Sequence, residues 1–201
     1  MLTLRESFRN ITDEIIWERY REGNEAAFNE IFLRYYQRIL HYGLKFWPDQ
    51  LLVEDCIQEL MIRIWQKRNV VNRTESVKFY LLKTFRHILF RKLKQNRVFS
   101  EKTEEDRLQE VSVEDQFIRE ETHEVLKNKV KVLLSQLTPR QQEVLYLRFY
   151  QNLSPGEIAE LLQINTQSVC NIIHRAFQKI RETTPISNHN NFIFSIIQFF
   201  L

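Results

Sequence analysis

With 43% apolar and 27% charged residues, a chain of 201 residues has the make-up of an ordinary soluble protein of one or two domains. Three glycines and four prolines are too few for the tight turns of strand-rich architectures, and the apolar spacing is helical nearly throughout, so an all-α fold is expected. The net charge of +3 does not by itself imply nucleic acid, and the scattered Cys56, Cys170, His41, His87, His123, His174 and His189 lack metal-ligand spacing, so no metal site is expected.

The opening MLTLRESFRN has no apolar signal core, which leads to the expectation of a cytoplasmic protein with reduced thiols. Residues 13–21 read as a short helix with Ile15, Ile16 and Trp17 inward, stopped by Gly23. Residues 24–46 follow as a long helix with Phe28, Ile31, Phe32, Tyr35 and Ile39 on one stripe, Gly43 late in it and Pro48 beyond its end. Residues 49–52 read as a connection. The third helix, 53–67, places Ile57, Leu60, Met61, Ile64 and Trp65 at i, i+3, i+4, i+7 and i+8. Its outer face carries Asp55, Gln58, Glu59, Arg63 and Gln66, with Ile62 among them. Such a face is either merely solvated or, because of the aliphatic residue, a seat for a partner helix.

After a polar stretch at 69–75, residues 77–97 form the most basic helix, with Lys78, Lys83, Arg86, Arg91, Lys92, Lys94 and Arg97 and no acidic residue between them. Phe79, Tyr80, Phe85 and Phe90 are interleaved, Phe99 lies just beyond, and Leu82, Phe85, Leu89 and Leu93 make the core stripe. Cations that track phosphates beside aromatics that stack on bases suit single-stranded nucleic acid. An anionic membrane or a calmodulin-like partner is the alternative.

Between residues 100 and 124 ten acidic side chains face only Lys102, Arg107 and Arg119, the composition of a flexible tether. Such a leash can lie over the basic surfaces until DNA displaces it. Residues 113–136 are expected to include the helix that opens a second domain.

The stretch 137–181 reads as three helices. Thr138, Pro139 and Gln141 begin the first, and Ser154-Pro155-Gly156-Glu157 repeats that capping grammar for the second, which turns Ile158, Leu161 and Leu162 inward. A connection at 163–166 leads to the third, which Asn165 can cap. Val169, Ile172, Ile173, Ala176, Phe177 and Ile180 form its buried stripe, with Gln167, Asn171, His174, Arg175 and Gln178 opposite. A generic helical hairpin would satisfy the stripes. The absence of any carboxylate from 166 to 179 favours a helix-turn-helix DNA reader, whose face must approach phosphate. The closing FIFSIIQFFL, residues 192–201, is too short to span a bilayer as a helix. It docks on the second domain, stays partly disordered, touches a membrane or binds a regulator; the sequence does not choose.

The domain division is therefore 10–98, an acidic linker at 99–122, 123–183, and an apolar tail at 184–201: two small helical domains joined by a flexible linker, the second a helix-turn-helix. With no Gly-rich phosphate loop, nucleophile–base pair or metal-spaced carboxylates, neither catalysis, a cofactor nor a small-molecule substrate is expected.

From Tyr20 to Arg181 the chain resembles bacterial RNA polymerase sigma factors of the extracytoplasmic-function (ECF) subfamily. REGNEAAFNEIFLRYY (21–36) is similar to the opening of the family's second conserved region. EDCIQELMIRIWQKR (54–68) is similar to its polymerase-binding helix, with Met61 where Phe is usual. LTPRQQEVLYLRF and LSPGEIAELLQINTQSVCNIIHRAFQKIR are similar to its fourth region. The resemblance implies that Asp55, Gln58, Glu59, Ile62 and Arg63 bind core RNA polymerase. It implies that Lys78, Tyr80, Lys83, Arg86, His87, Arg91 and Lys94 hold the melted downstream promoter element, with a base extruded nearby. Thr166, Gln167, Ser168, Asn171, His174, Arg175 and Gln178 would read the upstream element as duplex promoter DNA. An anti-sigma partner, in the family often at a membrane, is a further implication of the resemblance. Three residues besides Met61 depart from the pattern. Gln163 replaces the glycine of the helix-turn-helix turn and is expected at positive φ; His87 stands where Asn is frequent, and Arg91 where an acidic or amide residue is. The alternative function is a stand-alone helix-turn-helix regulator that binds a symmetric operator without polymerase.

Overall fold

Local capping chemistry sets where the helices begin, and apolar stripes set how they pack. The computed structural model describes residues 8, 11–71, 74, 76–97 and 134–183; the acidic stretch 100–124 and the apolar tail lie outside them. Every regular element among the described residues is helical. The chain divides into two units, Met1–Arg107 and Leu108–Leu201.

In the first unit, α1 (Asp13–Arg21) ends at Gly23, whose φ of 89° turns the chain and lets its amide donate to Tyr20 O at 2.9 Å. Asn24 then caps α2 (Glu25–Phe46) by accepting from the Ala27 amide at 2.9 Å. Asp49 does the same for α3 (Gln50–Gln66), accepting from the Leu52 amide at 3.0 Å. The expected start at Val53 is therefore three residues late, because the aspartate after Pro48 is a cap rather than part of a connection. α4 (Val77–Arg97) has the predicted bounds.

α2 packs on α1 and α3, and α3 on α4. Trp17, Tyr20, Tyr42, Phe85, Ile31, Ile57, Leu60 and Leu81 fill the middle of the unit. Ile16 and Trp17 point inward as expected, but Ile15 is 49% exposed: the buried stripe of a short amphipathic helix is narrower than three consecutive residues. The Tyr20 hydroxyl donates to the Ile64 carbonyl, and burial raises its pKa, so it stays a protonated donor between α1 and α3. Arg34 binds the segment before α1 to α2, reaching Glu30 at 2.7 Å, Asp13 at 2.8 Å and the carbonyls of Ile11 and Phe8 at 3.0 and 2.6 Å.

In the second unit the helix expected within 113–136 lies outside the described residues except at 134–136, and a capping box follows: Thr138 accepts from the Gln141 amide, and the Gln141 side chain accepts from the Thr138 amide. α5 (Pro139–Leu145) then widens into a π-helical turn, Tyr146–Tyr150, which the sequence did not predict. The Gln151 amide reaches back five residues to Tyr146 O at 3.0 Å, and Asn152 at φ 51° reverses the chain. A second capping box, Ser154 with Glu157, starts α6 (Pro155–Leu162). α7 (Thr166–Thr183) follows, with Asn165 Oδ1 accepting from the Ser168 amide at 2.6 Å.

Gln163 adopts the left-handed conformation expected of it, φ 54° and ψ 43°, and its amide donates back to Glu160 O at 3.3 Å. An L side chain there costs roughly 1–2 kcal/mol. Gln163→Gly is expected to raise the unfolding free energy of this unit by ~0.5–1 kcal/mol in urea titrations, part of the gain being offset by glycine's greater unfolded-state entropy. Gln163→Val should lower it.

Candidate functional site

The outer face of α3 is a seam. Leu51, Asp55, Gln58 and Ile62 follow one another at spacings of 4, 3 and 4, the alternation of fours and threes that keeps a line of side chains against a second helix. Leu51 is 81% and Ile62 58% exposed, so the seam has apolar ends around a polar middle. Leu51 was missed in the sequence because it was read as loop; the Pro48-Asp49 cap is the signal that would have placed it.

Beside the seam runs a second row, Asp55, Glu59 and Arg63, and this row is not simply solvated. Glu59 Oε1 accepts from Arg63 Nη2 at 2.9 Å and from Arg91 of α4. Lys92 Nζ donates to Asp55 Oδ2 and stands 3.6 Å from Glu59 Oε2. Burial alone would lower the Lys92 pKa; the hydrogen bond to Asp55 and the charges of Asp55 and Glu59 outweigh it and raise the value. Beneath them Cys56 is buried, and burial pushes its thiol up to about 11, which keeps it an inert packing group.

On α4, Tyr80, Lys83, His87, Arg91 and Lys94 share one stripe at about 100° per residue. Lys83, His87, Arg91 and Lys94 are exposed and Tyr80 half-buried, its ring 5.3 Å from that of Trp17. Lys78 falls on the far side of the helix and is half-buried. The Arg86 guanidinium stacks 4.1 Å over the Phe90 ring, whose other neighbour is Trp47 at 5.4 Å. Phe85 is fully buried. Much of the aromatic interleaving seen in the sequence is therefore packing, while Lys83 Nζ of the cationic stripe lies 5.9 Å from the centre of the Phe79 ring.

α7 presents Thr166, Gln167, Asn171, His174, Arg175 and Gln178 to solvent, while Ser168 is half-buried beside its cap. Gln167 Nε2 donates to Asn171 Oδ1 at 3.1 Å, and Gln178 Nε2 to Glu182 at 3.1 Å. Val169, Ala176 and Ile180 are buried on the opposite side. This is a capped helix held by its apolar stripe, with a row of amides, an imidazole and a guanidinium outward, the donor and acceptor types that match base edges. A shallow apolar groove, lined by Cys170, Ile173 and Phe177, runs along its flank.

Among the described residues no group of three or more His, Cys, Asp or Glu is placed to hold a metal ion, and no helix is long and apolar enough to cross a membrane.

Comparison with known proteins bears on both units. The family model described as Sigma-70 region 2 matches residues 31–98, and that described as Sigma-70, region 4 matches residues 133–182. The ECF RNA polymerase sigma factor SigX of Bacillus subtilis (strain 168) is 26% identical over 166 residues, which span 79% of this chain and 84% of that protein. The solved structure of CnrH in complex with the cytosolic domain of CnrY has a similar fold, with a TM-score of 0.55 and 18% identity over 85% of this chain and 95% of that one. Sigma factors direct transcription by RNA polymerase and as a class are not enzymes. With α3 and α4 inside the first match, the helix-turn-helix inside the second, and SigX related across both, the chain belongs to the sigma-70 family as an ECF-type sigma factor.

Proposed function

We propose that this sigma factor docks on a coiled coil of core RNA polymerase through the α3 seam, with Asp55, Gln58, Glu59, Ile62 and Arg63 at the contact. The stripe on α4 then holds the melted downstream element: Tyr80, Lys83, His87, Arg91 and Lys94 face the strand with Arg86 at its flank, while Lys78, on the far side of the helix, stands apart from it. α7 enters the major groove of the upstream element with Gln167, Asn171, His174, Arg175 and Gln178, while Thr166 and Ser168 sit at its N-terminal end. The observation that carries this reading is the seam. Exposed Leu51 and Ile62 fit a partner helix; a regulator of a symmetric operator would use them only to pair two copies, and the match of this unit to Sigma-70 region 2 favours polymerase as the partner. CnrH was solved in complex with the cytosolic domain of CnrY, which supports an anti-sigma partner for this chain.

The test is co-elution of the full-length chain with core polymerase, followed by transcription from the host's own upstream regions. Core-dependent initiation is expected, and Ile62→Glu should abolish it while leaving duplex binding by α7 intact. Tight binding to a symmetric site by the protein alone, without core binding, would establish the stand-alone regulator instead. Arg175→Ala should weaken binding to the upstream element roughly tenfold or more. Equal loss on scrambled upstream DNA would make Arg175 a phosphate contact rather than a base reader.

A further inference from the structure

Asp55 and Glu59 lie on the helix assigned to polymerase, and Arg91 and Lys92 on the helix assigned to DNA, yet the four side chains are bound to one another. A carboxylate beside a cation does two things to a phosphate. It satisfies the cation's donors, and it repels the phosphate charge. Arg91 therefore cannot meet a DNA backbone at full strength while Glu59 holds it, and the same is true of Lys92 beside Asp55 and Glu59. The pairs are partly exposed, with side-chain exposures of 41% and 27% for Arg91 and Glu59 and 19% and 61% for Lys92 and Asp55. Ion pairs at such exposure are weak enough to be exchanged for others. The exchange has an obvious route, because Asp55 is also a member of the seam and Glu59 is its neighbour one turn on. A partner helix seated on Leu51 and Ile62 reaches the same two carboxylates.

We propose that Arg91 and Lys92 form a phosphate-binding site on α4 that Asp55 and Glu59 close in the free chain, and that a partner helix bearing its own lysine or arginine opens it. The site adds Lys92, which lies outside the exposed stripe of α4, to the residues that hold the DNA strand. It also assigns Asp55 and Glu59 a second role as positioning residues for α4. The proposal rests on the reading of α3 as the polymerase-docking face.

The experiment measures binding of the full-length chain to a short labelled single-stranded oligonucleotide of mixed sequence, without polymerase, across a salt series. Asp55→Asn/Glu59→Gln keeps side-chain shape and removes the two anions. Its affinity should rise roughly two- to thirtyfold at low salt, the summed range for two exposed ion pairs. Its salt slope should steepen by about 1.4, for two added phosphate contacts on a single strand. Adding Arg91→Ala/Lys92→Ala should cancel both changes, and Glu22→Gln/Glu25→Gln, which alters net charge equally at exposed sites outside the cluster, should reproduce neither. Circular dichroism on each variant checks folding, and Asp55→Asn alone, expected to show half the slope change, serves if the double variant is not helical. Unchanged affinity and slope, or a gain that survives loss of Arg91 and Lys92, would overturn the closure. Failure of the wild-type chain to bind core polymerase would instead sink the docking reading while leaving the oligonucleotide result standing.

Discussion

Gly43→Val is expected to cost the N-terminal unit ~3 kcal/mol, a large share of the stability of a small domain. Gly43 is buried in α2 where α3 and α4 cross it most closely. A Cβ built there would lie 2.5 Å from Val53 Cγ1 and 3.1 Å from Phe85 Cζ. Val53 and Phe85 are both fully buried, so neither has open space to move into, and the helices themselves must separate. Gly43→Ala should cost less, ~1–2 kcal/mol, because better helix propensity returns about 1 kcal/mol of the overpacking penalty. The check is urea unfolding by circular dichroism, with Val53→Ala as the partner substitution. If the double variant Gly43→Ala/Val53→Ala is no more stable than the sum of the two singles predicts, the clash is not the cause. The functional cost follows from the same geometry, since Val53 lies in the first turns of α3 and Phe85 in α4, and displacing them shifts the seam and the cationic stripe together.

The second large effect lies in the other unit. Arg140→Met is expected to lower its stability by ~2–3 kcal/mol and to weaken binding to upstream duplex DNA. Glu143 is only 1% exposed, and Arg140 Nη1 meets its Oε2 at 3.0 Å. Removing one partner of a buried pair costs about 3–5 kcal/mol; Arg140 is one-third exposed, which lowers the figure here. Arg140 Nη2 also donates to the carbonyl of Leu162 at 3.2 Å, the last residue before the left-handed Gln163. One guanidinium thus fixes α5 to the turn that aims α7. Arg140→Met/Glu143→Met should recover much of the stability, because no buried carboxylate is left, but not the DNA affinity, because the tie to Leu162 is still missing. A double variant that recovered both would show that the carboxylate alone matters.

The difference between these local ties and the α3–α4 charge cluster shows what a sequence can tell. Capping boxes are written within four residues, so Thr138 with Gln141 and Ser154 with Glu157 were legible as they stand, whereas the positive φ of Gln163 was legible only through the resemblance, from the glycine it replaces. The bounds of α4 and its buried Leu82, Phe85, Leu89 and Leu93 followed from period alone. Asp49 was overlooked because a Pro-Asp pair serves equally well in a loop. The π turn left no trace, since it adds one residue to a helix without changing which residues are apolar. Arg91 and Lys92 read as cations for DNA because their counterions lie 32 and 37 residues away, on another helix. Pairings at that separation depend on how α3 and α4 pack, and no local pattern records them.

The placement of Trp17, Trp47 and Trp65 gives the chain an optical asymmetry. All three indoles belong to the N-terminal unit, and residues 108–201 contain none. Trp17 and Trp47 are buried, Trp47 beside the Phe90 ring on which Arg86 stacks, and the Arg68 guanidinium lies 4.6 Å over Trp65. Selective excitation at the red edge of protein absorbance therefore observes only the half that carries α3 and α4, in the intact chain and without any label. Emission that shifts when polymerase is added, and stays constant when duplex DNA is added alone, would separate the two binding events in a single cuvette.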